Sequence, residues 1–140
     1  EKKDMLGGNA RYLLSAWDGE PMLPYLDNLI RKVEEHPLIT IRLKAEVKEV
    51  KGFVGNFQTT LDVDGKVEEV QQGVAIIATG AHAYRPTEYN YGKSDRIYLN
   101  LDLDKAIRER REAVSGANSA VFIQCVSSRE PQRPYCSWVC

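Results

Sequence analysis

Apolar positions recur along the chain with three different periods, and each period predicts a different element. Across residues 22–33, Met22, Leu26, Leu29, Ile30 and Val33 fall three and four apart, which is one face of an α-helix. Pro21 and Pro24 suit its first turn, where a missing N–H costs little. His36-Pro37 ends it, because the residue before a proline avoids the helical region. The helix is therefore expected over about 22–36. From residue 38 the period becomes two. Residues 38–43 and 45–50 alternate apolar and polar, 57–63 alternate strictly, and 66–71 repeat the pattern after Asp64-Gly65, a two-residue hairpin signal. An antiparallel β meander is expected over about 46–71. Val74-Ala75-Ile76-Ile77-Ala78 does not alternate. A continuous apolar run stopped by Thr79-Gly80 predicts a buried strand over 74–78, covered on both faces as in a parallel sheet.

The remaining stretches are less periodic. Up to about Gly19 the chain reads as a loop with a short helical piece near Asn9-Ala10-Arg11. Residues 81–98 are polar and carry Tyr84, Tyr89, Tyr91 and Tyr98, which predicts an ordered loop. Asp102 is placed to cap a helix running to about Ala113, with Leu103, Ala106 and Ile107 turned inward. Ser115-Gly116-Ala117-Asn118 breaks that helix, and 119–124 reads as a second short buried strand leading into Cys125.

Composition narrows the classes. At 140 residues one domain is the default expectation. With 19 basic and 20 acidic side chains the net charge is -1, which gives no reason to expect nucleic acid or an anionic membrane as partner. No apolar run approaches the roughly 20 residues needed to span a bilayer. The opening Glu1-Lys2-Lys3-Asp4 is no signal peptide. The chain starts without Met and stops on Cys140, four residues after Cys136, so both ends read as cuts in a longer protein. All 3 cysteines lie within 125–140. An odd count argues against a closed disulfide framework, and the clustering suggests metal or redox use in a reducing, cytoplasmic setting.

Three groups of residues carry candidate chemistry. Ala78-Thr79-Gly80 ends the apolar run with small residues that let backbone approach a ligand, and in two-dinucleotide-binding flavoproteins an Ala-Thr-Gly here closes the FAD pocket. The plain alternative is a strand that ends in a glycine turn. Glu1, followed by Gly7-Gly8, has the spacing of the acidic residue that binds adenosine ribose in doubly wound folds. A frayed polar terminus with a flexible glycine pair fits as well. Val47, on the strand Ala45-Glu46-Val47, offers backbone to an adenine, or is an ordinary core valine. Cys125, Cys136 and Cys140 are soft ligands suited to an iron–sulfur cluster or zinc, or are unligated thiols. No catalytic acid or base stands out. His36 reads as structural, and His82 follows Thr79-Gly80 closely enough to approach a flavin.

Taken in order, these motifs resemble the A-subunit family of heterodisulfide reductases, iron–sulfur flavoproteins of methanogens and sulfate reducers. The resemblance rests on Glu1-Lys2 with Leu6-Gly7-Gly8, His36-Pro37-Leu38-Ile39, Gly52-Phe53-Val54-Gly55-Asn56-Phe57, Ile77-Ala78-Thr79-Gly80-Ala81 and Tyr84-Arg85-Pro86-Thr87-Glu88-Tyr89. More specific still are Phe122-Ile123-Gln124-Cys125-Val126, Arg133-Pro134-Tyr135-Cys136-Ser137 and Val139-Cys140. It implies an α/β fold (α+β for the isolated fragment): a partial Rossmann-like, thioredoxin-reductase-like FAD domain over 1–118 and a cysteine cluster motif over 119–140. It implies FAD on Glu1, Gly7, Gly8, Val47, Ala78, Thr79 and Gly80, and a [4Fe–4S] cluster on Cys125, Cys136, Cys140 and a residue beyond. The family moves electrons between ferredoxin or hydrogenase-type donors and a disulfide-reducing partner, in some complexes by splitting electron pairs at the flavin. Quinone-linked relatives share much of the pattern. Ser127 stands where the family usually has Gly, and Trp138 where it usually has Arg, a lost positive charge expected to lower the cluster potential. Lacking the Gly-rich phosphate loop, the fragment is expected to be inactive and to bind FAD weakly. Two readings compete: a zinc-stabilised module with His36 or His82 as a further ligand, and a non-enzymatic module whose meander docks partner subunits.

Overall fold

The computed structural model describes residues 1–136. A 3-10 turn, Gly8–Arg11, precedes helix α1 (Met22–Glu34). Strands β1 (Ala45–Phe53), β2 (Asn56–Val63) and β3 (Lys66–Gln72) follow, then helices α2 (Asn100–Arg108) and α3 (Glu112–Ser115). The chain divides into two units: Glu1–Arg11 with Ser15–Gly80, and Tyr12–Leu14 with Ala81–Cys140.

In the first unit, α1 forms where the three-four periodicity placed it. Its buried residue is Leu26, 6% exposed, and it packs on the Gly8–Arg11 turn. Gly7 makes that approach possible: at φ +106, a Cβ there would lie 3.0 Å from the Leu26 side chain. His36 closes the helix as a structural residue, its Nδ1 accepting a hydrogen bond from the Leu38 N–H at 3.2 Å.

The meander is a three-stranded antiparallel sheet in the order β1-β2-β3. Asp64 (φ 50) and Gly65 (φ 83) both adopt positive φ, the geometry that matches a two-residue loop to the twist of its strands. The Asp62 carboxylate accepts a hydrogen bond from the Gly65 N–H at 2.9 Å. Register sorts the faces. Directly opposed residues share a face, and the pairs Val47↔Leu61, Val50↔Thr59 and Gly52↔Phe57 put both valines with Leu61, Thr59 and Phe57. Val47 and Val50 are three apart and would point to opposite faces of a regular strand. The irregularity between Val47 and Glu49 inserts the residue that keeps them together. On this face Thr59 is buried and accepts a hydrogen bond from Gln72 Nε2. The other face carries Lys51, Glu49, Gln58, Glu69 and Gln71, with Gln58 bonded to Glu69 at 2.7 Å.

The apolar run 74–78 departs from expectation. It joins no strand, and Val74, Ile76 and Ile77 are 70%, 87% and 89% exposed. Residues 119–124 behave alike: they form no strand, and Val121, Phe122 and Ile123 are exposed. Both runs carry the pattern of a strand buried on two faces, and such a strand needs sheet neighbours and covering layers on both sides. Among the described residues no parallel pair forms. The result is a mixed helix-and-sheet chain whose sheet is antiparallel throughout.

In the second unit, α2 is short and stops at Arg108, with α3 following separately. Its N-cap position is Leu99, and Asp102 is not the cap. The Asp102 carboxylate is committed elsewhere, accepting a hydrogen bond from the Tyr91 hydroxyl at 3.3 Å and facing Arg85 at 3.6 Å. Arg85 also donates to the Tyr91 hydroxyl at 2.6 Å, so the tyrosine-rich loop is tied to α2 by one polar triad. Ala106 is fully buried, whereas Ile107, expected inward, is 41% exposed. Arg108 donates to the Tyr12 and Leu13 carbonyls at 2.9 and 3.0 Å, and the Leu14 N–H donates to Asp104 at 3.0 Å. No helix among the described residues is long and apolar enough to cross a membrane.

Candidate cofactor residues and the cysteine loop

Glu1 and Val47 lie on neighbouring stretches of backbone. The Glu1 amino group donates to the Arg42 carbonyl at 2.9 Å, and the Ala45 N–H donates to the Glu1 carbonyl at 2.9 Å. Lys2 and Lys48 both grip the Glu46 carboxylate, at 3.2 and 2.7 Å. Hydrogen bonds from Lys48 first and Lys2 second, with both positive charges behind them, hold the Glu46 carboxyl below its ordinary range. The same Glu46 holds the Lys48 ammonium above its own. The exposed Glu1 carboxylate accepts a hydrogen bond from the Lys3 N–H at 3.0 Å. Val47 is 59% exposed on the apolar face of the sheet.

The glycine pair divides in role. Gly7 is pressed against Leu26 and Arg11, while a Cβ at Gly8 would meet nothing within 4 Å, so Gly8 is the member with open space above it. Ala78, Thr79 and Gly80 lie in an exposed segment outside the sheet, with Gly80 at φ +69. The structure thus sets Glu1 beside β1 and leaves Ala78-Thr79-Gly80 outside any element. A surface pocket of about 510 Å³ lies in the second unit and is lined by other residues, including Tyr91, Lys93, Tyr98 and Arg111.

The thiols sit on a shaped loop. Cys125 and Cys136 are both free and half-buried. Cys125 has φ 58 and Ser127 φ 61, in the left-handed region that non-glycine residues avoid. The turn between them closes through the Ser128 N–H to the Cys125 carbonyl at 3.1 Å. A second constriction follows, an isolated antiparallel bridge between Glu130 and Arg133. Arg133 then reaches back: its guanidinium donates to the Ser127 hydroxyl at 3.2 Å and lies 4.7 Å from the centre of the Tyr84 ring. Cys140 and Trp138 lie outside the described residues. Among the described residues no three potential metal ligands converge; two soft donors on one loop are what the structure shows. Sequence reasoning places Tyr84 and Arg133 within family-like motifs but assigns neither a role in the cysteine loop.

Known proteins give a consistent answer. The chain is 35% identical to the A subunit of the H(2):CoB-CoM heterodisulfide,ferredoxin reductase of Methanothermobacter thermautotrophicus, over 51% of this chain and 13% of that protein. It is 31% identical to an iron-sulfur A subunit of the CoB–CoM heterodisulfide reductase of Methanopyrus kandleri, over 76% of this chain and 16% of the relative. With the corresponding iron-sulfur A subunit of Methanocaldococcus jannaschii the figures are 28%, 77% and 19%. No protein-family profile and no solved structure matches significantly. The matches therefore span less than a fifth of each of these relatives. Within that span, the chain is homologous to a segment of the heterodisulfide reductase A-subunit family.

Proposed function

We propose that the chain contributes part of an oxidoreductase subunit that carries electrons in a heterodisulfide reductase-type complex, between ferredoxin or another low-potential donor and a disulfide-reducing partner, in the cytoplasm. The observation that carries this reading is the pair of free, half-buried thiols, Cys125 and Cys136, on one loop of a chain homologous to iron–sulfur subunits. With Cys140 they supply three thiolates for a [4Fe–4S] cluster, which would pass single electrons. Thiolate donors fit such a cluster better than they fit hard cations. FAD belongs to the same proposal, held by a Rossmann-like surface that includes Glu1, Gly7, Gly8, Val47, Ala78, Thr79 and Gly80. The proximity of Glu1 to β1 and the open space above Gly8 support that assignment. The cofactors do the redox chemistry, and the protein supplies orientation and electrostatics.

Anaerobic reconstitution with iron and sulfide of a longer stretch of the protein, one that extends past Cys140 to the fourth expected ligand, tests the cluster. A brown product whose iron and sulfide are lost in the Cys125→Ser, Cys136→Ser double variant is the expected result. A colourless wild-type product that instead carries stoichiometric zinc would sink it in favour of the zinc module. These residues alone supply only part of an FAD site, so titration of residues 1–140 by themselves with free FAD should show no micromolar affinity. One observation favours the docking reading as an additional role: Val50, Phe53 and Val67 of the meander are 50%, 68% and 72% exposed. Loss of assembly with partner subunits on Phe53→Glu, with the meander intact, would support it.

A further inference from the structure

We propose that Arg133 is the positioning residue of the cysteine loop, anchored on Ser127 at one end and on the Tyr84 ring at the other. The inference rests on the reading of Cys125 and Cys136 as ligands of a shared soft metal or cluster. The loop begins with two residues in a disfavoured backbone region, Cys125 and Ser127. Strain of that kind persists only where surrounding contacts over-determine it. Within the turn, the Ser128 N–H donates to the Cys125 carbonyl. A further restraint comes from Arg133. Its guanidinium donates to the Ser127 hydroxyl at 3.2 Å, and its carbon centre lies 4.7 Å from the Tyr84 centroid. Its backbone is fixed as well, since the Arg133 N–H donates to the Glu130 carbonyl and the Tyr135 N–H to the Arg133 carbonyl, both at 2.9 Å. One residue therefore grips the chain two positions after Cys125 while its own main chain is held three positions before Cys136.

The chemistry selects arginine and serine together. A guanidinium can lie over a ring while an edge N–H donates sideways; an ammonium does one or the other. At Ser127 the positive φ would suit glycine better. Glycine has no hydroxyl for Arg133 to hold, so serine gives up backbone ease and gains an anchor. Tyr84 extends the grip to the 81–98 loop, which ties the cysteine loop to the tyrosine-rich segment.

The test uses the full chain, reduced and kept anaerobic, with two readouts: amide hydrogen exchange at Ser128, and Co(II) titration followed by thiolate-to-metal absorption. Arg133→Ala should speed Ser128 exchange and weaken Co(II) binding, each by about ten-fold, the range seen when residues that orient metal ligands are removed. Arg133→Lys should recover only part of either effect, Tyr84→Phe should match wild type, and Tyr84→Leu should fall between. In a Ser127→Gly background, Arg133→Ala should add little, because the anchor is already gone. Unchanged Ser128 exchange in both Arg133→Ala and Tyr84→Leu would overturn the proposal. So would full recovery by Arg133→Lys, or additivity with Ser127→Gly. If wild type binds Co(II) without engaging its thiols, the ligand reading fails and the exchange results alone decide the role of Arg133 in the loop.

Discussion

Gly52 shows how closely single positions are specified. It stands at φ +97, and a Cβ there would lie 2.1 Å from the Asn56 carbonyl oxygen, closer than any real contact. Gly52→Ala is expected to destabilise the meander by about 2–4 kcal/mol, combining backbone strain with a clash against main chain. Gly65 has a similar φ of +83 but open space around it. Gly65→Ala should therefore cost only about 1 kcal/mol. Urea unfolding followed by circular dichroism separates the two. Leu26→Ala, the loss of the buried side chain of α1, should cost about 2–3 kcal/mol. The Asp64-Gly65 turn is legible in the sequence because two adjacent residues that tolerate positive φ have few other uses between alternating strands. The strain at Cys125 is not, since nothing in a cysteine's type announces a left-handed backbone. Asp102 misleads for a related reason. A carboxylate near a helix start suggests a cap, and only the fold shows Tyr91 and Arg85 claiming it.

At the scale of elements, α1 and the meander are readable because their order is local. The helix needs one periodic face, and the meander needs alternation plus a two-residue turn. The irregularity at Lys48 is hidden in the sequence because it changes which face a side chain takes, not whether the residue is extended. The runs at 74–78 and 119–124 mislead because a two-face-buried strand depends on neighbours that its own residues do not encode. Amide exchange should show this directly: Val74, Ile76 and Ile77 exchanging near the unfolded rate, Thr59 and Leu61 strongly protected. Electrostatics at the start of β1 give a pH dependence. The folded state lowers the pKa of Glu46 below its ordinary value of 4.5, so its contribution is present above that value and is lost as pH falls through the folded pKa. Glu46→Gln should therefore lower the urea midpoint slightly at about pH 7, and the gap to wild type should close as pH falls through the folded pKa of Glu46. Because Lys2, Glu46 and Lys48 are exposed, added salt should shrink the gap as well.

For the molecule as a whole, buried apolar side chains are few: Leu26 in the first unit and Ala106 in the second, among the described residues. Stability therefore resides within the separate elements more than in any large shared core. Ile76→Lys with Ile77→Lys should leave the unfolding free energy of the meander within about 0.5 kcal/mol of wild type, as surface substitutions do. A larger loss would mean that the run packs on the sheet after all. The exposed run has a further consequence in concentrated solution. Val74-Ala75-Ile76-Ile77-Ala78-Thr79 contains no charge, no proline and two adjacent isoleucines, and it joins no strand. Six such residues are enough to stack in register with copies of themselves. This chain is thus expected to seed thioflavin-positive fibrils through those residues, and one lysine at Ile76 should suppress the seeding while the fold is unchanged.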